Sequence, residues 1–470
     1  MSAPATTEKK YLKWYQKLAY GSGDLASNCS YGLVSSFVLL YLTGTLGLDS
    51  AIIGSLMLAS KVLDGISDVI FGTLIDRTHS KLGKARPWML FGQVGVSLCL
   101  FLLFAIPAGS TTMQYIYFFI VYTALNAVFY TANGIAYSSL VALITKNNNE
   151  RVQLGSFRFM FAVATNIFMG FAVTGMVEKF GSGAAGWRTT ALIFAIVGLV
   201  VNTISCLAVK ELPEKELSDN TSEAAEEGKA VAEEKKHGFA ETAKILVHNK
   251  YYLMILAIYI VYYIMSNLTT GAGVFCATYY WGDGSLLGQF SMMKMFPVII
   301  ALAIAPVLIK KTGSMQKVNF WGYAISSVLG IPMIYFAMQK NLSMFLLFMF
   351  IKGIFAGTLS GSLNALIAEA SGYTTRTTGI HMDGMMYSCS SLGVKVGGGI
   401  GTAAVGWLLK LGGFVGTATV QSESAIRMIF NLYITFPFVI GIIITVLLAF
   451  LDVEKANKKW DAEHQKEAQA

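Results

Sequence analysis

Charge is scarce in this chain. Of its 470 residues, 13% are Asp, Glu, Lys or Arg and 54% are hydrophobic, with a mean hydropathy of +0.57. An ordinary soluble domain carries about 25% charged residues, so a soluble globular class is excluded. Histidine is scattered too thinly over the apolar segments to form a His/Glu metal pattern or a nucleophile constellation. No catalytic residues and no cofactor are therefore expected, and the chain reads as a non-enzyme. Five cysteines (Cys29, Cys99, Cys206, Cys276, Cys389) fall singly in apolar segments with no paired spacing. That argues against a disulfide framework or a structural metal cluster and leaves them as small packing residues. No short charged-then-apolar leader with a cleavage site opens the sequence, so the first apolar segment is expected to be retained.

What is present in quantity is long apolar sequence. Windows of roughly 20 apolar residues place helices near 17–45, 51–76, 88–108, 114–145, 152–178 and 187–210. A second set follows near 251–281, 286–309, 318–338, 342–368, 381–412 and 424–452. The fold class is thus an all-α membrane protein with twelve transmembrane helices. Between the sets lies a mixed-charge stretch with small and polar residues from Ser218 to Ala232, which reads as linker. Helical spacing over Phe239–Val247 suggests a short segment along the membrane surface. The expected organisation is an N-terminal tail (1–16), a six-helix bundle (17–210), a central loop (211–250), a second six-helix bundle (251–452) and a C-terminal tail (453–470).

The net charge of +8 does not mark a nucleic-acid partner, because the basic residues sit in alternate loops. Lys9, Lys10, Lys13 and Lys17 precede or begin the first helix; Arg77, Lys81, Lys84 and Arg86 follow the second. Lys146 and Arg151 follow the fourth, and Lys310, Lys311 and Lys317 the eighth. The intervening segments 44–50, 107–114 and 281–288 contain no Lys or Arg. The positive-inside rule then puts both termini in the cytoplasm of a cell (inner) membrane. The weak loop is the one between helices five and six, with Lys179 and Arg188. Gly72–Lys84 and Pro306–Lys317 each follow the second helix of their half and place basic residues at the same mouth. Two such halves are the major facilitator architecture, with substrate near the midplane.

Asp64 and Asp68 stand one turn apart in the run from Ala51 to Ile75. A carboxylate at bilayer depth is costly and marks an ion or substrate path. Two on one helix face need a cation or a basic partner, and Lys61, the one base in the run, can serve one of them. The pair reads as a proton or sodium site. On helix 1, Asp24, Asn28 and Tyr31 share a face; on helix 4, Tyr130, Asn133 and Tyr137 do. Acids and amides of this kind suit sugar hydroxyls, and interhelical polar clamps are the alternative. Lys294 and Lys352 also fall inside apolar runs with no excess of acids at their depth. They are candidates to bind the carboxylate of a uronic-acid sugar, or else snorkel to the interface.

Several motifs resemble those of the glycoside-pentoside-hexuronide:cation symporters, the family of the bacterial melibiose and glucuronide carriers. They are YGSGDLASN (Tyr20–Asn28), KVLDGISD (Lys61–Asp68), DRTHSKLGKARPW (Asp76–Trp88), FRF (Phe157–Phe159) and YSCSSLGVK (Tyr387–Lys395). The resemblance implies that Asp64 and Asp68 hold the cation, with Lys395 of helix 11 serving the same site. It also implies that Asp24 accepts from the sugar and that Arg158 lies near it, with Ser391 in the same motif as Lys395 added to the substrate set. An amide and a threonine hydroxyl that help hold sodium in the melibiose carrier are replaced by Ser67 and Tyr130, which favours a proton. Asn133 and Tyr137 match the glucuronide carrier.

The loop from Asp76 to Arg86, with Arg77 and Lys84, is the expected gate of an alternating-access cycle. Glu369, Arg376 and Asp383 flank the corresponding loop of the second half. The expectation is symport of a glycoside or hexuronide with a proton by a monomer in the lipid bilayer. Sodium-coupled galactoside transport, carriage of a lysolipid-like amphiphile, and a membrane sugar sensor are the alternatives.

Overall fold

Backbone in hydrocarbon has to satisfy its own hydrogen bonds, so apolar segments of spanning length become helices. The computed structural model describes residues 9–213, 245–380, 382–418 and 420–467. Its helices are α1 (Trp14–Thr45), α2 (Ser50–Asp76), α3 (Arg86–Leu103), α4 (Thr111–Ile144), α5 (Asn148–Lys179) and α6 (Gly183–Leu207). The second set is α7 (Lys250–Tyr280), α8 (Leu286–Thr312), α9 (Met315–Met338), α10 (Leu342–Thr378), α11 (Asp383–Leu411) and α12 (423–450). A further helix, α13 (Val453–Glu467), closes the described chain. Among the described residues, 11 helices are apolar and long enough to cross a membrane. The long helix outside that count is α2, which carries Lys61, Asp64 and Asp68 in its middle. The expected linker at 218–232 lies outside the described residues, as does most of the expected surface segment at 239–247.

Contacts divide the chain into two compact units, 1–48 with 59–236 and 49–58 with 237–470. The boundary falls inside α2. In the first unit, the carboxylate of Glu211, just past α6, accepts from the backbone N–H groups of Lys84, Ala85 and Arg86 at 2.7, 2.9 and 3.0 Å. These are donors that the start of α3 leaves unsatisfied, and a negative group there also suits the helix dipole. Arg86 is itself buried, donating to Cys206 O at 3.2 Å. Glu150 makes a second clamp, accepting from Tyr11 N, Leu12 N, Thr145 Oγ1 and Lys17.

The second unit repeats the first device. Glu454, just past α12, accepts from Gln316 N at 3.0 Å and from the Ser314 hydroxyl at the start of α9. α13 packs alongside: Asn457 donates to Glu369 Oε2 at 2.9 Å and accepts from Arg376 at 3.0 Å. This docking carries the polar end of α10, which runs to Thr378 rather than stopping near 368, so Glu369 and Arg376 lie on the helix rather than beside it. An apolar window cannot see a turn held by polar partners. Close packing of α7 on α11 depends on Gly397, where a Cβ would stand 2.4 Å from Ile260 O.

Lys340, in the α9–α10 turn, and Lys410, ending α11, are departures from the alternating basic pattern. Lys340 reaches the Tyr280 carbonyl, and Lys410 meets Asp49 at 2.5 Å. Partial burial works to raise the Asp49 carboxyl. Hydrogen bonds from Lys410 and from the Ala51 and Ile52 amides outweigh it and hold the group below its ordinary range.

Candidate substrate and cation sites

The first unit gathers half-buried charges on α1, α2 and α5, with hydroxyls of α4 beside them. Asp24 begins the regular part of α1, next to Gly23. A Cβ on Gly23 would sit 2.8 Å from both Ser205 Oγ and the Tyr137 ring, so only glycine lets α1 approach α4 and α6 this closely. That approach brings Asp24 Oδ2 within 3.1 Å of the Tyr137 hydroxyl, which donates to it and to Tyr20 O at 2.8 Å. Arg158 on α5 donates to the same oxygen at 2.5 Å, and its guanidinium lies 4.2 Å from the Tyr137 ring centre. One turn further along α1, Asn28 accepts from Asn166 Nδ2 at 2.9 Å. Tyr31 stacks on Tyr130 with ring centres 5.6 Å apart. The group offers an acid, a guanidinium, two amides and two aromatic faces, the chemistry that reads sugar hydroxyls.

Asp64 is one step away on α2. Lys61 lies 3.6 Å from its Oδ2, and Thr131 donates to its Oδ1 at 2.7 Å. The Lys61 ammonium is also 5.9 Å from the Tyr31 ring centre, linking the acid pair to the aromatic stack. Asp68 is half-buried on the same helix, while Ser67 donates to the Asp64 carbonyl at 2.9 Å. Asp24, Asp64, Asp68, Lys61 and Arg158 sum to one negative charge when all are ionised.

Sequence reasoning missed Thr131 and Asn166. The wide π-type turn over Ala124–Tyr130 lets Tyr130 stack on Tyr31 while the next residue meets Asp64. Asn166 had a signal, an amide eight residues after Arg158 on the same face of α5. Asn133 is placed elsewhere. It is 2% exposed, and its amide donates to Met89 O at 2.7 Å and Asn202 Oδ1 at 3.4 Å. It therefore ties α4 to α3 and α6, the interhelical-clamp alternative, and does not join Asp24. Among the expected gate residues, Asp76 and Arg77 are exposed, Lys84 gives its N–H to Glu211, and Arg86 is buried within its own unit.

In the second unit, Ser391 is exposed and Lys395 half-buried on α11. Lys294 on α8 and Lys352 on α10 line one cavity of about 180 Å³. Hydroxyls of Tyr262, Ser266, Thr269 and Ser360 share its wall, and among the described residues no Asp or Glu does.

Residues 19–455 match the family model described as MFS/sugar transport protein. The isoprimeverose transporter of Lactiplantibacillus pentosus is 27% identical, over 100% of this chain and 96% of its own. The glucuronide carrier protein homolog of Escherichia coli is 23% identical, over 86% and 85%. Among solved structures, a D-xylose-proton symporter shares the fold with a TM-score of 0.65 at 12% identity, covering 94% of this chain and 98% of that one. From the charged motifs of α2 to the whole-length match, these findings agree that the chain belongs to the MFS sugar transport family and is a glycoside-pentoside-hexuronide:cation type symporter.

Proposed function

We propose that the protein imports a glycoside together with one proton across a cell membrane, with both termini in the cytoplasm. The observation that carries this reading is the adjacency of two networks in one bundle, Asp24–Arg158–Tyr137 for the sugar and Lys61–Asp64–Thr131 with Asp68 for the cation. Lys61 and Thr131 already occupy the two oxygens of Asp64. A fixed ammonium there opposes a metal cation at Asp64, which supports a proton as the coupling ion, and we assign that proton to Asp68, the second acid of the pair. Lys395 stays in the proposed cation set on the resemblance alone. Relatives named for isoprimeverose and glucuronide transport support a glycoside as cargo.

Coupling in this scheme is thermodynamic. Sugar binding raises the proton affinity of the site by the factor by which protonation raises sugar affinity. The test is sugar affinity of the purified protein at several pH values, with and without sodium, for isoprimeverose, methyl β-glucoside and methyl β-glucuronide. Proton coupling predicts affinity that falls as pH rises, is indifferent to sodium, and loses its pH dependence in Asp68→Asn. Affinity that follows sodium at constant pH would replace the proton by sodium.

A further inference from the structure

Close packing in the second unit carries two like charges to one place. A Cβ on Gly353 of α10 would stand 2.8 Å from the Pro297 side chain of α8, and one on Gly357 would stand 2.7 Å from Ala301 Cβ. Glycine at both positions lets α8 and α10 approach this closely. Lys352 adjoins the first of those glycines, and Lys294 precedes Pro297 by about one turn. Lys294 and Lys352 stand eight and ten residues into their helices, about 12 and 15 Å along, and both are half-buried. A snorkelling lysine turns its head to the nearer headgroups. These two instead line one cavity of about 180 Å³.

The cavity answers that charge with lone pairs alone. The Lys294 ammonium donates to Thr270 Oγ1 at 3.1 Å and Thr269 Oγ1 at 3.3 Å. Those hydroxyls spend their own protons on the backbone carbonyls of Met265 and Ser266. Among the described residues, Lys352 has no hydrogen-bond or ion-pair partner, and no Asp or Glu lines the cavity. Two ammoniums sharing one low-dielectric cavity are costly, and a bound anion offsets that cost.

The rest of the wall is largely apolar and adaptable. Met265, Met293, Met333 and Met349 line it with Phe345 and Phe438, and thioether sulfurs favour contact with aromatic rings. A π-type turn over Asn431–Thr435 of α12 holds Tyr433 at the same wall, stacked on Phe290 with ring centres 5.3 Å apart. An apolar cavity of about 150 Å³ admits one benzene. At about 180 Å³ this one has the size for a single aromatic ring bearing a carboxylate. Every lining residue belongs to the second unit, whereas the Asp24–Arg158–Tyr137 network belongs to the first. We infer that the second unit binds a small aromatic carboxylate of about benzoate size, held by the ammoniums of Lys294 and Lys352, as a ligand separate from the glycoside cargo. Such binding requires neither the proposed cargo nor the proposed coupling ion.

The experiment is calorimetry on the full chain in phosphatidylcholine nanodiscs, near neutral pH in chloride-poor buffer, with the heats of empty discs subtracted. Benzoate is titrated beside benzyl alcohol, which keeps the ring and lacks the charge, and acetate, which keeps the charge and lacks the ring. Wild type is expected to bind benzoate about tenfold or more tighter than either. Lys352→Gln and Lys294→Gln each lower benzoate affinity about tenfold, and Lys352→Arg retains most of it. Arg158→Gln in the first unit leaves benzoate affinity within about threefold. Without ligand, Lys352→Met unfolds at or above the wild-type temperature, because it removes a charge that has no counter-ion. That result separates anion binding from a lysine that the fold itself requires. The inference is overturned if benzoate binds no tighter than benzyl alcohol or acetate, if Lys352→Gln leaves its affinity unchanged, or if Lys352→Met unfolds well below wild type. A tenfold loss in Arg158→Gln would move the anion to the first unit, and competition by phosphatidylglycerol added to the discs would assign the lysines to a lipid headgroup. Either result also overturns it.

Discussion

The two six-helix units share a scaffold device and differ in their buried charge. In each, a glutamate just past the sixth helix caps the start of the third: Glu211 for Lys84–Arg86 and Glu454 for Ser314–Gln316. Around Asp24 and Asp64 the first unit sets three acids against two bases, while in the second Lys294 and Lys352 line a cavity that has no acid among the described residues. The caps are alike in the two units, and the charged interiors are not.

The comparison breaks most severely at Asp68. Asp68→Asn should leave sugar exchange down a gradient intact but lower sugar accumulation by about 100-fold, because a neutral amide cannot carry the proton across. Uptake in energised cells set against counterflow in de-energised vesicles separates the two. Next comes Arg158→Lys, which keeps the charge but loses the guanidinium stack on Tyr137; sugar affinity should fall about 30-fold. Titration of purified protein with its best glycoside measures it. An unchanged affinity would move the sugar site away from Asp24.

Smaller effects test the shared scaffold. Glu211→Gln and Glu454→Gln should each destabilise by about 1–2 kcal/mol, since a charged cap on helix N–H groups becomes a neutral one. Thermal unfolding in detergent should show two similar losses, and a large loss in one alone would deny that the caps are equivalent. The smallest effect concerns Asp49. Its carboxyl is held below the ordinary range, so the Asp49–Lys410 contribution is complete above the unfolded value and is lost as pH falls through the lower folded one. The pair is partly exposed, so Lys410→Met should cost about 0.5 kcal/mol near neutral pH, a cost that fades as pH falls through the lowered folded value.

Much of this was legible in the sequence, for reasons that differ by residue. Helix count and loop polarity follow from apolar length and basic residues, which are local properties. Asp64, Asp68 and Lys61 stand out because charge in an apolar run is costly wherever the helix packs. Asp24 with Tyr137 and Arg158 depended on resemblance, and the structure does bring those three together. Thr131 was illegible because a π-type turn shifts the register of α4, which regular 3.6-residue spacing does not anticipate. Asn133 misled because an amide in a membrane helix looks the same in sequence whether it meets substrate or another helix. The end of α10 was underestimated for a related reason: Asn457 of α13, more than seventy residues away, holds it.

The central claim is that Asp68 carries the coupling proton. Its most direct test is the external pH of lightly buffered, sodium-free cells when a transported glycoside is added, for wild type and Asp68→Asn at matched expression. The account predicts a transient alkalinisation in wild type and none in Asp68→Asn. Equal alkalinisation in both would contradict it.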